Sequence, residues 1–146
     1  MKRFINTEIR IRSSCVRIIE CLTDPKELKA CWAVDDAFIE KKDGGHYILT
    51  WFKSEHGVKL VQTAKIRVLN TRSHLHLEDV MYINSEKSIL GPFLIKYDIE
   101  EHNSYSILKI THSGFEKSGD WQWYYEHMQD SWPQALLFLK QYLEKN

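Results

Sequence analysis

Residues 121–143, with the sequence WQWYYEHMQDSWPQALLFLKQYL, decide the fold of this chain. Their large apolar side chains recur every three or four positions and are Trp121, Tyr125, Met128, Trp132, Leu136, Leu139 and Leu143. This spacing places all of them on one face of a single helix. A helix with so bulky an apolar face needs a broad apolar surface to pack on. Since the preceding segments alternate like strands, the sequence predicts that this surface is a curved sheet, with a cavity between helix and sheet.

One residue interrupts this helix. Pro133 has no backbone N–H, and its ring collides with the carbonyl of Gln129, so we expect a kink there. The alternative is that the helix restarts at Ser131 or Trp132. The apolar stripe keeps its phase across the proline, which favours the kink.

Bulk composition limits the classes of protein to consider. A chain of 146 residues suits one domain, residues 1–146, with one core. Its 20 basic and 20 acidic side chains cancel, so no net field attracts nucleic acid, and we expect no nucleic-acid partner. No apolar run approaches the roughly 20 residues that a membrane span needs.

The N-terminal segment and the cysteines favour a cytoplasmic protein. Residues 1–8 carry charge, but no long apolar run follows them, so no signal peptide is expected. Cys15, Cys21 and Cys31 are odd in number and lack the spacing of a metal site or of a disulfide framework. We therefore predict three free thiols, no structural metal and a reducing compartment.

The first third of the chain predicts one strand followed by two short helices. Apolar and polar residues alternate over residues 5–11, which is typical of a half-buried strand. Ser13 or Ser14 is placed to cap the first helix. Asp24 followed by Pro25 begins the second, with an acid three residues after the cap as in a capping box.

From residue 37 onward the pattern has period two. Gly44 and Gly45 predict a tight hairpin turn. The clearest strand follows, with one face formed by Val58, Leu60, Gln62, Ala64, Ile66 and Val68. Further strands are predicted from Leu75, over residues 93–99 and over residues 108–112, whereas residues 82–92 are polar and stay unassigned. Short turns between successive strands indicate an antiparallel sheet. The fold class is therefore α+β, a helix-grip layout in which a curved sheet of about six to seven strands wraps around the C-terminal helix.

Several motifs in this order resemble the SRPBCC superfamily, which includes START and birch-pollen-allergen-like domains. Within it, the chain is most similar to the family named after activators of the heat-shock-protein-90 ATPase. The matching residues are Leu22-Thr23-Asp24-Pro25-Lys26-Glu27-Leu28 with Trp32, Gly44-Gly45-His46-Tyr47, Thr111-His112-Ser113-Gly114-Phe115 and the helix from Trp132 to Leu143. The resemblance implies a deep cavity between the last helix and the sheet. It leaves the ligand open, because members of the superfamily bind lipids, sterols or plant metabolites, and a few carry out chemistry.

Eight residues are candidates for contacting a ligand: Trp32, Trp51, Gln62, Tyr97, His112, Tyr125, Met128 and Trp132. Aromatic side chains and an adaptable methionine suit the walls of an apolar chamber, although a small domain also fills its core with them. Gln62 is the one polar member of its row, so it either orients a ligand or bonds Tyr97 or a buried water. His112 either anchors a ligand or ties the last strand to the helix.

Other polar groups do not form a recognisable catalytic or metal site. His74, His76 and Glu78 share a strand face opposite Leu75 and Leu77, which predicts a solvated face rather than metal ligands. No Ser or Cys lies in a Gly-x-Ser-x-Gly context, and no phosphate-binding glycine loop is present. The sequence predicts no catalytic residue and no cofactor.

The sequence thus favours a non-enzymatic protein that holds a hydrophobic small molecule or lipid between helix and sheet. A co-chaperone that stimulates a heat-shock ATPase is the first alternative. An enzyme that uses the cavity for hydrolysis, cyclisation or isomerisation, with His112 as acid or base, is the second. Ligand identity, pathway and the choice between monomer and homodimer are left open.

Overall fold

A seven-stranded antiparallel sheet and three helices form the computed structural model, which describes residues 3–145, except for the side chain of Val58. Met1 and Lys2, part of the N-terminal segment considered above, lie outside the described residues. In chain order the elements are β1 (Phe4–Ile11), α1 (Cys15–Leu22), α2 (Pro25–Trp32), β2 (Asp36–Ile39), β3 (His46–Ser54), β4 (Gly57–Asn70), β5 (His74–Asn84), β6 (Leu90–Glu101), β7 (Ser106–Ser113) and α3 (Asp120–Glu144). The predicted α+β helix-grip layout, with two short helices after the first strand, is confirmed.

The order of strands in the sheet is β1-β7-β6-β5-β4-β3-β2. Strands β2 to β7 pair with their sequence neighbours as a meander, while β1 pairs with β7 at the far edge. The chain crosses between the two edges through α1 and α2. Helix α3 packs on β1 and α2, so it covers one face of the sheet.

The two short helices begin where their capping residues predict. The Ser14 hydroxyl accepts a hydrogen bond from the Arg17 backbone N–H at 3.1 Å. The Asp24 carboxylate accepts one from Lys26 N–H at 2.8 Å. Glu27 does not complete a capping box, because its carboxylate pairs with the Arg17 guanidinium instead. That ion pair joins α1 to α2 and holds the pKa of Glu27 below its ordinary value.

Helix α3 runs without a break through Pro133, so a restart at Ser131 or Trp132 does not occur. The kink at the proline stays a prediction. Most of the predicted stripe is buried, namely Trp121, Trp132, Leu136, Leu139 and Leu143. One position needs correction: Tyr124 is fully buried, whereas Tyr125 is only half-buried.

Residues 82–92, which the sequence left unassigned, contain the end of one strand, a turn and the start of the next strand. Strand β5 continues to Asn84, and β6 begins at Leu90. Tyr82 and Leu90 pair with each other across these strands and are both buried. The residues are hard to assign from sequence because register shifts between Leu77 and Tyr82 interrupt the regular alternation of side chains.

Two further features concern the class of protein. Cys15, Cys21 and Cys31 are free thiols, and all three are buried. Among the described residues, no helix combines the length and apolar character needed to cross a bilayer.

Candidate functional site

A cavity of about 620 Å³ lies between α3 and the sheet. Its lining comes from α2, β3, β4, β5, β6 and α3, so every layer of the fold contributes. The aromatic members of the lining are Trp32, Trp51, Phe52, Tyr82, Tyr97, Trp123, Trp132 and Phe138. Typical small-molecule sites have volumes of roughly 300–1,000 Å³ and mostly apolar walls, so this chamber has the dimensions of a ligand site.

Six of the eight residues selected from the sequence line this one cavity: Trp32, Trp51, Gln62, Tyr97, Met128 and Trp132. The structure therefore brings together side chains from α2, β3, β4, β6 and α3. His112 and Tyr125 do not line it. Sequence reasoning missed Tyr82 and Trp123, which do; Tyr82 lay in the unassigned segment, and Trp123 is off the predicted stripe.

Two indole hydrogen bonds in series hold one wall of the cavity. Trp51 Nε1 on β3 donates to the Trp32 carbonyl at 3.0 Å. Trp32 Nε1 in turn donates to the Ala135 carbonyl on α3 at 2.9 Å. Because each tryptophan uses its N–H in this way, its ring orientation is fixed and its apolar surface is left to form the wall.

Gln62 is the polar group of the cavity floor. It lies mid-strand on β4, paired with Leu49 on β3 and Tyr82 on β5, and its residue is only 9% exposed. Within residues 3–145, its side-chain amide makes no hydrogen bond to another protein group. Its amide atoms are not among the buried, unpartnered side-chain atoms of the described residues, so they are accessible from the cavity that Gln62 lines. Gln62 therefore offers both a donor and an acceptor to whatever occupies the cavity.

His112 lies behind the cavity wall rather than in it. Its Nδ1 accepts a hydrogen bond from Trp132 Nε1 at 3.0 Å, and its residue is fully buried. Burial lowers the pKa of His112 to about 3, so the imidazole is neutral. Since Nδ1 is the acceptor, the ring hydrogen is on Nε2, which is buried and has no hydrogen-bond partner among the described residues. The imidazole ring packs against Phe93 and Phe115, with ring centroids 4.7 and 4.6 Å apart. The contact supports the structural interpretation of His112, which fixes Trp132.

Tyr125 faces a different part of the molecule. Its ring lies against Phe115, with centroids 5.1 Å apart, and the Arg3 guanidinium covers it at 4.5 Å. Residues 124 and 125 lie on either side of the helix stripe, and Tyr124 takes the position against the sheet. Tyr125 thus fastens the start of α3 to the chain before β1.

The mouth of the cavity carries charge, in contrast with its walls. Lys59 on β4 and Glu86 after β5 form an ion pair of 3.4 Å between mainly exposed side chains. Phe52, also at the mouth, is 65% exposed and has a left-handed backbone with φ of 59°. His127 stacks on Trp123 with centroids 5.0 Å apart. The entrance therefore combines polar groups with exposed aromatic rings.

The fold and the cavity define an α+β helix-grip protein with a chamber between its last helix and its sheet. Residues 15–144 match the family described as Activator of Hsp90 ATPase homolog 1-like protein, and the chain belongs to that family. No curated protein gives a significant match.

Solved structures share this fold. The Aha1 dimer from Colwellia psychrerythraea is 22% identical, with a TM-score of 0.73, over 97% of this chain and 96% of that one. Protein MLL2253 from Mesorhizobium loti is 15% identical, with a TM-score of 0.78, over 99% and 98%. CalU16 from Micromonospora echinospora is 15% identical, with a TM-score of 0.69, over 97% and 74%. At such identities the likeness establishes the fold.

Proposed function

We propose that this protein binds a hydrophobic small molecule or lipid in the cavity under α3, without chemical conversion. The observation that carries the proposal is the Gln62 amide, which is nearly buried, has no partner among the described residues and lines an aromatic chamber. A ligand with one polar group inside an otherwise apolar body would satisfy this amide. Pockets of this kind obtain affinity from their apolar walls and orientation from a few polar groups.

The wall residues indicate the shape of the ligand. Trp32 and Trp51 are held by their indole hydrogen bonds and present fixed, flat surfaces. Met128 on α3 faces them with a flexible side chain that adapts to different outlines. Flat or aliphatic molecules of moderate size therefore fit better than highly branched or strongly charged ones.

The position of His112 supports a binding role over catalysis. This residue was the acid or base of the enzymatic alternative, but it is fully buried, and its Nδ1 is occupied by Trp132. A general acid or base must come within hydrogen-bond reach of the substrate. Trp132 stands between His112 and the cavity, so the imidazole would have to exchange its partner before it met a ligand.

The proposal is tested by filling the cavity from α3. Ser131 is half-buried and lines the chamber, so Ser131→Phe inserts a ring into it. We expect the wild type to bind an environment-sensitive apolar dye that fatty acids or aromatic metabolites displace, and Ser131→Phe to weaken dye binding about tenfold or more. Two variants serve as controls, Ser131→Ala, which adds no bulk, and Gln141→Phe, which adds the same ring to the exposed face of α3.

Two results would contradict the proposal. One is a wild-type protein that neither binds the dye nor retains any small molecule in native mass spectrometry of freshly purified material. The other is equal dye binding by the wild type and Ser131→Phe, because that would place the dye elsewhere on the surface.

A second candidate function is a co-chaperone role, which the description of the family favours. It predicts that the purified protein raises the ATP hydrolysis rate of a heat-shock-protein-90 chaperone. Ser131→Phe separates the two candidates, since it fills the cavity and leaves the outer surfaces of the sheet unchanged. Stimulation that survives this substitution assigns the co-chaperone role to another surface.

A further inference from the structure

The outer face of the sheet carries a cluster of two histidines and one aspartate, remote from the cavity. His74 and His76 lie on β5, with their side chains opposite to the buried Leu75 and Leu77. Asp98 lies on the neighbouring strand β6. One ligand atom from each of these three residues can be chosen so that all lie within 4.8 Å of one another.

Strand register explains why the three side chains converge. His74 is directly opposite Asp98, and its near nitrogen, Nδ1, lies 2.5 Å from Asp98 Oδ1. His76 is two positions along the same face and reaches the same oxygen with its far nitrogen, Nε2, at 2.7 Å. Both imidazoles are therefore aimed at one point by rigid strands rather than by loops.

The Asp98 carboxylate interacts with these two imidazoles. Lys109 on β7 is its register partner on the other side, yet the ion pairs of Asp98 among the described residues are with His74 and His76. Burial raises the pKa of Asp98, but the hydrogen bonds from His76 and His74 outweigh it, so this pKa lies below its ordinary value. One carboxylate oxygen is thus held between two nitrogen atoms that can act as metal ligands.

We propose that His74, His76 and Asp98 form a binding site for a borderline divalent transition metal such as Zn²⁺. Imidazole nitrogen with one carboxylate suits zinc, nickel or copper, whereas Mg²⁺ and Ca²⁺ prefer all-oxygen sites. Ligand atoms around tetrahedral zinc lie about 3.3 Å apart, so the distances from Asp98 Oδ1 to the two imidazole nitrogens, 2.5 and 2.7 Å, need to open by less than about 1 Å. Side-chain exposures of 44%, 20% and 35% leave the fourth position to water or an external group.

The sequence alone indicated two of the three proposed ligands, His74 and His76. The His-x-His spacing was evident, but the third residue then considered was Glu78, on the same strand. Glu78 is not part of the cluster, because the pairing of β5 with β6 shifts register after Leu77. Glu78 pairs with Lys65 on β4 instead. The identity of the third ligand depends on which residue of β6 lies opposite His74. That pairing is set only when the sheet folds, so the sequence alone does not give it.

The test is titration of the metal-free protein with Zn²⁺, followed by calorimetry and by the shift in unfolding temperature. We expect one ion per chain. His76→Gln and Asp98→Asn should each weaken binding about tenfold or more, since loss of even an outer-shell partner costs about 10–100-fold in affinity. Glu78→Gln is a matched control on the same strand, and His102→Gln is a second, because His102 pairs with a single carboxylate, that of Glu100. Both controls should bind Zn²⁺ like the wild type.

Three outcomes would overturn the proposal. They are a wild type whose Zn²⁺ affinity equals that of His76→Gln, binding that disappears equally in the two controls, and Mg²⁺ or Ca²⁺ binding as tight as that of Zn²⁺. Unfolding temperatures of the metal-free variants within a few degrees of the wild type show that any loss of binding is not a loss of fold. All four side chains are at least partly exposed, so we expect all four variants to fold.

Discussion

The interface between α3 and the sheet has two ends that share α3 and β6 and differ in filling. At the filled end, five aromatic rings pack against one another, with centroids of neighbouring rings 4.6 to 6.4 Å apart: Phe93, His112, Phe115, Trp121 and Tyr124. At the open end, the walls Trp32, Trp51, Gln62 and Tyr97 enclose the cavity. Trp132 contacts both ends, because its Nε1–H donates a hydrogen bond to His112 and its side chain lines the cavity.

The residues that α3 presents contribute to the difference. Over the filled end it places Trp121 and Tyr124. Over the open end, the small residues Ser131 and Ala135 lie among larger lining residues such as Met128. Protein interiors are generally close-packed, so the small side chains of Ser131 and Ala135 contribute to the space that remains at the open end.

The largest expected effect comes from truncating one ring at each end. Phe93→Ala should lower the free energy of unfolding by about 3–5 kcal/mol, because it leaves an enclosed void among fixed rings. Trp51→Ala enlarges a space that already exists and should cost only about 1–2 kcal/mol, while it weakens ligand binding. Chemical denaturation of both variants measures these values. Equal losses of stability would remove the distinction between the two ends.

Acid should lower the free energy of unfolding through His112, which lies at the filled end. Its pKa is about 3 in the folded protein against an ordinary 6.5, so between these values the unfolded chain binds a proton that the folded chain does not. Stability is therefore complete above pH 6.5 and falls as the pH drops toward 3. The loss should reach about 3 kcal/mol at pH 4, since each pH unit contributes about 1.4 kcal/mol.

The control for this prediction is His112→Gln. Its amide oxygen can still accept from Trp132 Nε1 but does not titrate in this range. Unfolding followed at several pH values should give a shallower acid dependence for the variant. Parallel curves for both proteins would show that carboxylates such as Asp98 and Glu27, whose pKa values are also lowered, account for the whole slope.

The smallest expected effect concerns two buried tyrosine hydroxyls. Tyr124 Oη, at the filled end, has no hydrogen-bond partner among residues 3–145, whereas Tyr47 Oη donates to the Leu22 carbonyl at 2.6 Å. Tyr124→Phe should therefore stabilise the protein by about 1 kcal/mol, and Tyr47→Phe should destabilise it by a similar amount. Thermal unfolding would show shifts of opposite sign. A loss of stability in Tyr124→Phe would mean that its hydroxyl is satisfied in solution.

The sequence predicted those features that depend on near neighbours along the chain. The apolar stripe predicted α3, Ser14 and Asp24 predicted the starts of α1 and α2, and strand alternation put Gln62 on the inner face. These patterns involve residues a few positions apart, whose geometry is fixed by the local backbone. The SRPBCC resemblance then supplied the order in which the elements pack.

Features that depend on distant segments were not predictable in the same way. Tyr124 and Tyr125 are both compatible with the helix period, and only packing against Phe93 selects Tyr124. The approach of Asp98 to His74 requires the register of β5 on β6. Irregular pairing after Leu77 makes that register impossible to count from the sequence.

The placement of the tryptophans has an optical consequence. The chain has five, and all except Trp121 line the cavity. Indole emission changes in wavelength and intensity with the polarity and chemistry of its immediate surroundings. A molecule that enters the chamber thus alters the light from Trp32, Trp51, Trp123 and Trp132 together, while Trp121 keeps its environment. Binding of a molecule in the cavity can therefore be followed by the native tryptophan fluorescence of the protein, without an attached label. A mixture of compounds can be screened in the same way.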